Sequence, residues 1–201
     1  MIRDTNRLRL NHPTPDYAFS KITQNRIAKR YFKTSLSVCS INIVPRTNGR
    51  WVAKSLSGIP FKDGNVLYTT DVSGNELDNN IWFLQKAVTA EYDLTAVFLY
   101  GEIFLYRLPR KLLSSLDWRK EQFSVVKDWE KIRCPVSLEK AISSFMSEAN
   151  LCYGRLDFLQ NSIDSDPTFL EVNRNGQWAW LDLTQRDGLF NAMCNVYDPK
   201  K

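Results

Sequence analysis

The stretch "LTAVFLYGEIFLYRL", Leu94 to Leu108, sets the tightest limit on how this chain can fold. It is two apolar runs broken only at Tyr100-Gly101-Glu102, and a glycine at such a break fits a tight turn between antiparallel strands. Upstream, "LSVCSINIV", "RWVAKSL" and "NVLYTTDV" are β-branched and aromatic segments. They are separated by "PRTNG" and "PFKDG", which is turn chemistry, and read as a small antiparallel sheet. Near the carboxyl end, "YGRLDFLQ" and "TFLEVN" read as two more strands joined by the turn-rich "NSIDSDP".

Helices fill the gaps. Asp16 precedes "YAFSKITQNRIAKRYF", where Ala18, Ile22, Ala28 and Phe32 recur at helical spacing, so a capped helix is expected from about Tyr17 to Tyr31. Ser137 opens "LEKAISSFMSEANL", with an apolar stripe of Leu138, Ala141, Ile142, Phe145, Met146 and Ala149. "RDGLFNAMCNVY" reads as a last helical segment. Between the hairpin and Ser137, "PRKLLSSLDWRKEQFSVVKDWEKIRCP" is polar and irregular, which suits an exposed connection or mobile loop. The fold class is therefore α+β.

Residues 1 to 33 hold eight Arg or Lys against Asp4 and Asp16, a local +6 in a chain whose net charge is +5. No run of apolar residues is long enough to cross a membrane, and the amino end lacks the apolar centre of a signal peptide, so a cytoplasmic protein is expected. Cys39, Cys134, Cys152 and Cys194 form no C-x-x-C pair, and His12 is the one histidine. Reduced, mostly buried thiols are the expectation.

In a strand, residues two apart share a face, so Glu171 and Asn173 project together, with Phe169 on the same side. If the last two strands pair about a turn near Asp164, Asp157 lies opposite Glu171 and joins that face. Two carboxylates and an amide oxygen suit a hard cation such as Mg²⁺ that also binds phosphates. The plainer alternative is two strand carboxylates paired with lysines or arginines.

"YGRLDFLQ" followed by "FLEVNRNGQWAWLD" closely resembles the carboxy-terminal motif of ATP-grasp ligases, above all the branch that matures ribosomally made peptides, the microviridin-type or graspetide ligases. "LNHPTPDYAFSKITQNRIAKRYF" is similar to the opening of that family's nucleotide-binding region, "WVAKSL" to its second lysine strand, "FLQKAV" to its hinge, and "DWR" to a tripeptide of the peptide-maturing branch. The resemblance implies an ATP-grasp fold of two α+β lobes with antiparallel sheets, one over residues 11–84 and one over 85–201, enclosing Mg-ATP. It implies Lys21 and Lys54 as contacts to ATP phosphates, Gln85, Lys86, Ala87 and Val88 as the hinge beside the adenine, and Asp93 as a further nucleotide contact. Asp157, Glu171 and Asn173 would be the Mg²⁺ ligands, and Lys54 and Arg119 would act in catalysis. The implied reaction phosphorylates a carboxylate of an acidic precursor peptide, and an amine or hydroxyl attacks the acylphosphate.

The pattern has departures. The chain starts where the family's amino-terminal α/β domain would end, so a separate chain is a possible source of that domain. Thr95 stands in place of an arginine, Arg174 in place of a proline, and the glycine-rich phosphate loop is reduced to Gly58 and Gly64. These support a second reading, a truncated or degenerate ligase that binds nucleotide or peptide without turnover. A third, a nucleic-acid-binding module using "KRYFK" and "KDWEKIR", is weakened by the acidic residues within the second stretch.

Overall fold

A computed structural model of the chain describes residues 10–11, 19–41, 45, 48–56, 68–72, 77, 80–121 and 124–196. The expected hairpin forms as strands β6 (Tyr92–Leu99) and β7 (Glu102–Pro109), with Leu99 opposite Glu102. Tyr100 (φ 48°) and Gly101 (φ 100°) both take the left-handed conformation that a two-residue turn between right-twisted strands requires.

The hairpin lies inside a six-stranded sheet. In chain order its other members are β1 (Lys33–Thr34), β8 (Glu130–Ile132), β9 (Tyr153–Gln160) and β10 (Thr168–Asn173), and the spatial order is β1-β10-β9-β6-β7-β8. Every pairing is antiparallel except β1 with β10, so this sheet is mixed where antiparallel pairing was expected. The second sheet takes the remaining strands, β2 (Ser37–Ile41), β3 (Trp51–Ser55), β4 (Thr70–Asp71) and β5 (Ile81–Lys86). Its order is β2-β5-β3-β4, so the "FLQK" strand inserts between two strands that the sequence makes neighbours. β5 spans the position expected to divide the lobes and pairs within this sheet through Lys86.

The large sheet is covered on both faces, which is why β6, β7 and β9 are nearly continuous apolar runs. Helices α1 (Lys21–Ala28) and α2 (Val136–Glu148) cover one face, where Ile27, Ile142, Phe145 and Met146 meet Leu94, Leu156, Phe158 and Phe169. Val125, Trp129, Leu181 and helix α3 (Leu189–Val196) cover the other, against Val97, Tyr106 and Tyr153. Just past the end of α2, Asn150 takes a positive φ (53°) that lets the Leu151 amide reach back to the Met146 carbonyl at 2.9 Å.

Four expectations change. α1 begins at Lys21, capped by Ser20, whose Oγ accepts from the Thr23 amide at 3.4 Å; the Asp16 cap, with residues 17 and 18, lies outside the described residues. Its buried face is Gln24, Asn25, Ile27 and Ala28, while Ile22 is 50% exposed. The polar faces win because Asn25 accepts from Ser37 Oγ and Gln24 bonds β10. Residues 110–121 and 124–129 are not a loose loop: they form short 3₁₀ turns over Arg110–Leu112, Trp118–Glu121 and Val126–Asp128, and bury Asp117, Val125 and Trp129. The thiols are not mostly buried, since Cys39 and Cys194 are exposed and Cys134 and Cys152 half-buried. Among the described residues no helix is long and apolar enough to cross a membrane.

Candidate active site

A cleft of about 850 Å³, counted out to its open mouth, lies between the two sheets. The small sheet contributes Val52 and Lys54 from β3 and Gln85 and Lys86 from β5, followed by Ala87 and Val88. The large sheet contributes Asp93, Arg155, Asp157 and Glu171, and the 110–119 segment closes one side with Arg110, Asp117 and Arg119.

Strand alternation selects these side chains. On β3, Trp51 and Ala53 turn into the small-sheet core, so Val52 and Lys54 turn into the cleft. On β9, Leu156 and Phe158 join the apolar core, leaving Arg155 and Asp157 on the opposite face. Glu171 sits directly across from Asp157 as expected, but a bulge between Phe169 and Glu171 resets the register. Phe169 pairs with Phe158 and is fully buried in the apolar core, so the expectation that it shares a face with Glu171 fails. Leu170 is the extra residue that turns the strand over.

The acidic pair is wired to cations. Glu171 Oε2 lies 3.1 Å from Lys21 Nζ. Lys21 is brought there by Gln24 on the next turn of α1, whose Oε1 accepts from the Val172 amide at 3.0 Å where β1 no longer covers β10. Asp157 Oδ1 accepts from Thr95 Oγ1 at 2.6 Å, and its Oδ2 faces Arg155 Nη2 at 3.2 Å. Burial alone would raise the Glu171 carboxyl, but Lys21 and Lys54 hold it down to about 2, so it is ionised at neutral pH. The ion-pair reading of this strand pair is therefore met, Glu171 by Lys21 and Asp157 by Arg155.

Lys54 is 8% exposed and has no ion pair among the described residues. Burial pulls its ammonium below the ordinary lysine range; Glu171 and Asp157 partly oppose that, while Lys21 and Arg119 add to it. A buried cation without a dedicated carboxylate is costly unless a ligand completes it.

Gln85 is 1% exposed, and its Nε2 has no partner among the described residues. The Lys86 and Ala87 amides are committed to the Leu36 and Arg50 carbonyls at 2.8 Å each, and Ser35 Oγ donates to the Lys86 carbonyl. Within this stretch, the Gln85 side-chain amide is thus the buried donor left open. Asp93 pairs with Arg110 Nη1 at 2.7 Å; burial pushes its carboxyl up to about 7 against the pull of that arginine.

Arg119 is held by Asp117, which accepts from its Nε at 2.8 Å and its Nη2 at 2.5 Å. Asp117 also accepts from the Thr69 amide at 3.1 Å, so this carboxylate ties the 110–121 segment to the edge of the small sheet. Burial would raise the Asp117 carboxyl, but the hydrogen bonds and charge of Arg119 win and hold it below the usual range.

Asn173 stands apart. It is exposed, does not line the cleft, and its Oδ1 accepts from the Asn175 amide at 3.1 Å. Gly58 and Gly64 lie outside the described residues. Sequence reasoning passed over Arg155, Arg110 and Gln24. For Arg155 a signal existed: it stands two residues before Asp157 in a strand, the same spacing that linked Glu171 to Asn173.

No protein-family model and no curated protein matches the chain. Its similarity is to solved structures. The RiPP-associated ATP-grasp ligase of Chryseobacterium gregarium, in complex with ADP and a leader and core peptide, matches at 19% identity and TM-score 0.75, over 96% of this chain and 63% of that one. The macrocyclase MdnC of Microcystis aeruginosa MRC, bound with precursor peptide MdnA, matches at 21% identity and TM-score 0.71, over 97% and 68%. The D-alanine–D-alanine ligase of Bacillus anthracis matches at 13% identity and TM-score 0.58, over 89% and 65%. This chain spans about two thirds of the length of each of these proteins, and its fold is that of the ATP-grasp ligases.

Proposed function

We propose that the chain is an ATP-dependent ligase that activates a carboxylate of an acidic peptide as an acylphosphate and passes it to an amine or hydroxyl. The carrying observation is Lys54, a buried cation without a carboxylate of its own among the described residues, set in one cleft with Asp157 and Glu171 and close to Lys21. An ammonium so placed is completed by an anionic ligand, and phosphate is the anion that lysine, as a flexible point charge, serves best.

Lys21 and Lys54 bind the nucleotide phosphates, Gln85, Lys86, Ala87 and Val88 hold the base, and Asp93 a polar edge of the nucleotide. The nucleotide would lie between the two sheets, with the small-sheet lobe running from β2 to β5 and α1 and β1 joining residues 87–196 in the other, so a division at 84/85 is displaced by those elements. Asp157 and Glu171 offer a hard oxygen donor set that fits Mg²⁺, with Asn173 as the third ligand once it leaves its turn. When bound, that ion would neutralise phosphate charge and orient the transferred group. Lys21, paired with Glu171 in this structure, would share its charge between that carboxylate and the phosphates. Lys54 stays fixed by its burial and steadies the charge that develops during transfer. Arg119, clamped by Asp117, presents its remaining edge to the acceptor carboxylate.

Mg-ATP should raise the melting temperature, and Asp157→Asn with Glu171→Gln should abolish that rise; no rise in the parent protein sinks the nucleotide claim. Turnover should show as ADP release and loss of one water mass per bond on an acidic peptide encoded nearby. Binding without either would leave a nucleotide-binding protein that does not turn over.

A further inference from the structure

Behind the cleft lies a second cavity, an apolar trough formed by Trp118, Trp178, Trp180, Tyr153 and Val126. Three tryptophans build the partition between the two spaces. Trp118 packs on Trp180 and Trp129 with ring centroids 4.8 and 5.6 Å apart, and Trp129 lies 5.5 Å from Trp180. Trp129 faces the cleft, Trp180 faces the trough, and Trp118 lines both.

Two arginines also line both. Arg119 and Arg155 stand where trough meets cleft, and among the described residues they are the only charged groups in the trough wall. The Arg155 guanidinium lies over the Trp180 ring at 5.8 Å, while its Nη1 donates to the Gln177 carbonyl at 3.1 Å, so the loop that carries the tryptophans is tied to the acidic pair. The result is a continuous surface, cationic at its inner end and aromatic beyond, with no carboxylate along the outer part.

We propose that this trough is the acceptor subsite of the cleft, and that it selects a peptide segment whose acidic side chain reaches Arg119 and Arg155 while a neighbouring aromatic or large aliphatic side chain lies against Trp118 and Trp180. This rests on the ligase reading and narrows its substrate class. An anionic ligand without an apolar neighbour would leave the tryptophan faces in water; an apolar ligand without an anion would forgo the Arg119 Nη1 edge, which Asp117 does not use, and the positive charge of Arg155 beside it.

The test uses two blocked pentapeptides with a central glutamate, flanked on both sides by phenylalanine in one and by alanine in the other, titrated by calorimetry into the whole protein in Mg-ADP. The phenylalanine peptide should bind about tenfold more tightly, the discrimination that burying an aromatic side chain supplies. A glutamine replacing the central glutamate should weaken it to a similar degree. Trp180→Ala should bring the two glutamate peptides within about twofold of each other while the Mg-ADP thermal shift persists. Val126→Glu, which places a carboxylate in the trough without removing a ring, should do the same should Trp180→Ala not fold. Equal binding of both peptides by a parent protein that responds to Mg-ADP, or binding of neither at about 5 mM, overturns the subsite and leaves the ligase reading standing. Discrimination that survives both substitutions overturns it as well. A parent protein without a Mg-ADP shift fails the ligase reading itself, and the subsite falls with it.

Discussion

Lys54→Met separates what this lysine does for folding from what it does for a ligand. Methionine keeps most of the side chain's length and its apolar contacts but removes the ammonium. Burial is the largest influence on Lys54 and opposes its charge, with Lys21 and Arg119 adding to that opposition and Glu171 and Asp157 only partly answering it. Removing the charge relieves its burial but also takes one of two cations from Glu171, which keeps Lys21, so the unliganded protein should change in stability by no more than about 1 kcal/mol in either direction. Affinity for Mg-ADP should fall. A charge-assisted hydrogen bond to phosphate contributes about 1.5–3 kcal/mol, so the dissociation constant should rise roughly 10- to 150-fold. Urea unfolding followed by tryptophan fluorescence reads the first quantity, and calorimetric titration with Mg-ADP the second. A variant that loses more than about 1 kcal/mol of stability while keeping the parent's Mg-ADP affinity would show that Lys54 is a structural cation, and would refute the placement of phosphate beside it.

Two further predictions follow from the same site. The Glu171 carboxyl is lowered from 4.5 to about 2 in the fold, so its contribution is present above the unfolded value and lost as pH falls from about 4.5 towards 2. That contribution is on the order of 3 kcal/mol, and Glu171→Gln should flatten this part of a urea-midpoint-against-pH curve. Asp117→Asn keeps the shape but gives up the charge that grips Arg119, and should cost about 2 kcal/mol while exposing the Arg119 and Lys120 bonds to trypsin; unchanged proteolysis would mean that the 110–121 segment is held by its tryptophans alone.

Local chemistry was legible in the sequence, and phase was not always so. The hairpin about Gly101 and the pairing of Asp157 with Glu171 could be read because apolar runs bounded by turn residues leave few registers open. The bulge at Leu170 leaves no compositional mark, so strand alternation alone puts Phe169 on the wrong face. Ile22 looked like a core residue by spacing, yet Gln24 and Asn25 are buried in its stead because they satisfy backbone and side-chain partners on other strands. The order of residues 110–121 and 124–129 is likewise a tertiary matter. Their polar side chains suggested a loop, and only the meeting of Trp118 and Trp129 with Trp180, some fifty residues on, together with the hold of Asp117 on Thr69, makes them a wall. Insertion of β5 between β2 and β3 is a long-range choice that no local window contains.

The bulge at Leu170 also bears on how the chain avoids misfolding. β9 and β10 carry apolar runs that could pair equally well one residue out of step, a common fault of such strands. With the phase reset at Leu170, a one-residue slip drives Glu171 against Phe158 or, in the other direction, Leu156, both in a layer that is apolar among the described residues. The carboxylate that Lys21 and Lys54 hold in the cleft thus also acts as a key to the lock of the hairpin, and the sequence cannot relax the one demand without relaxing the other.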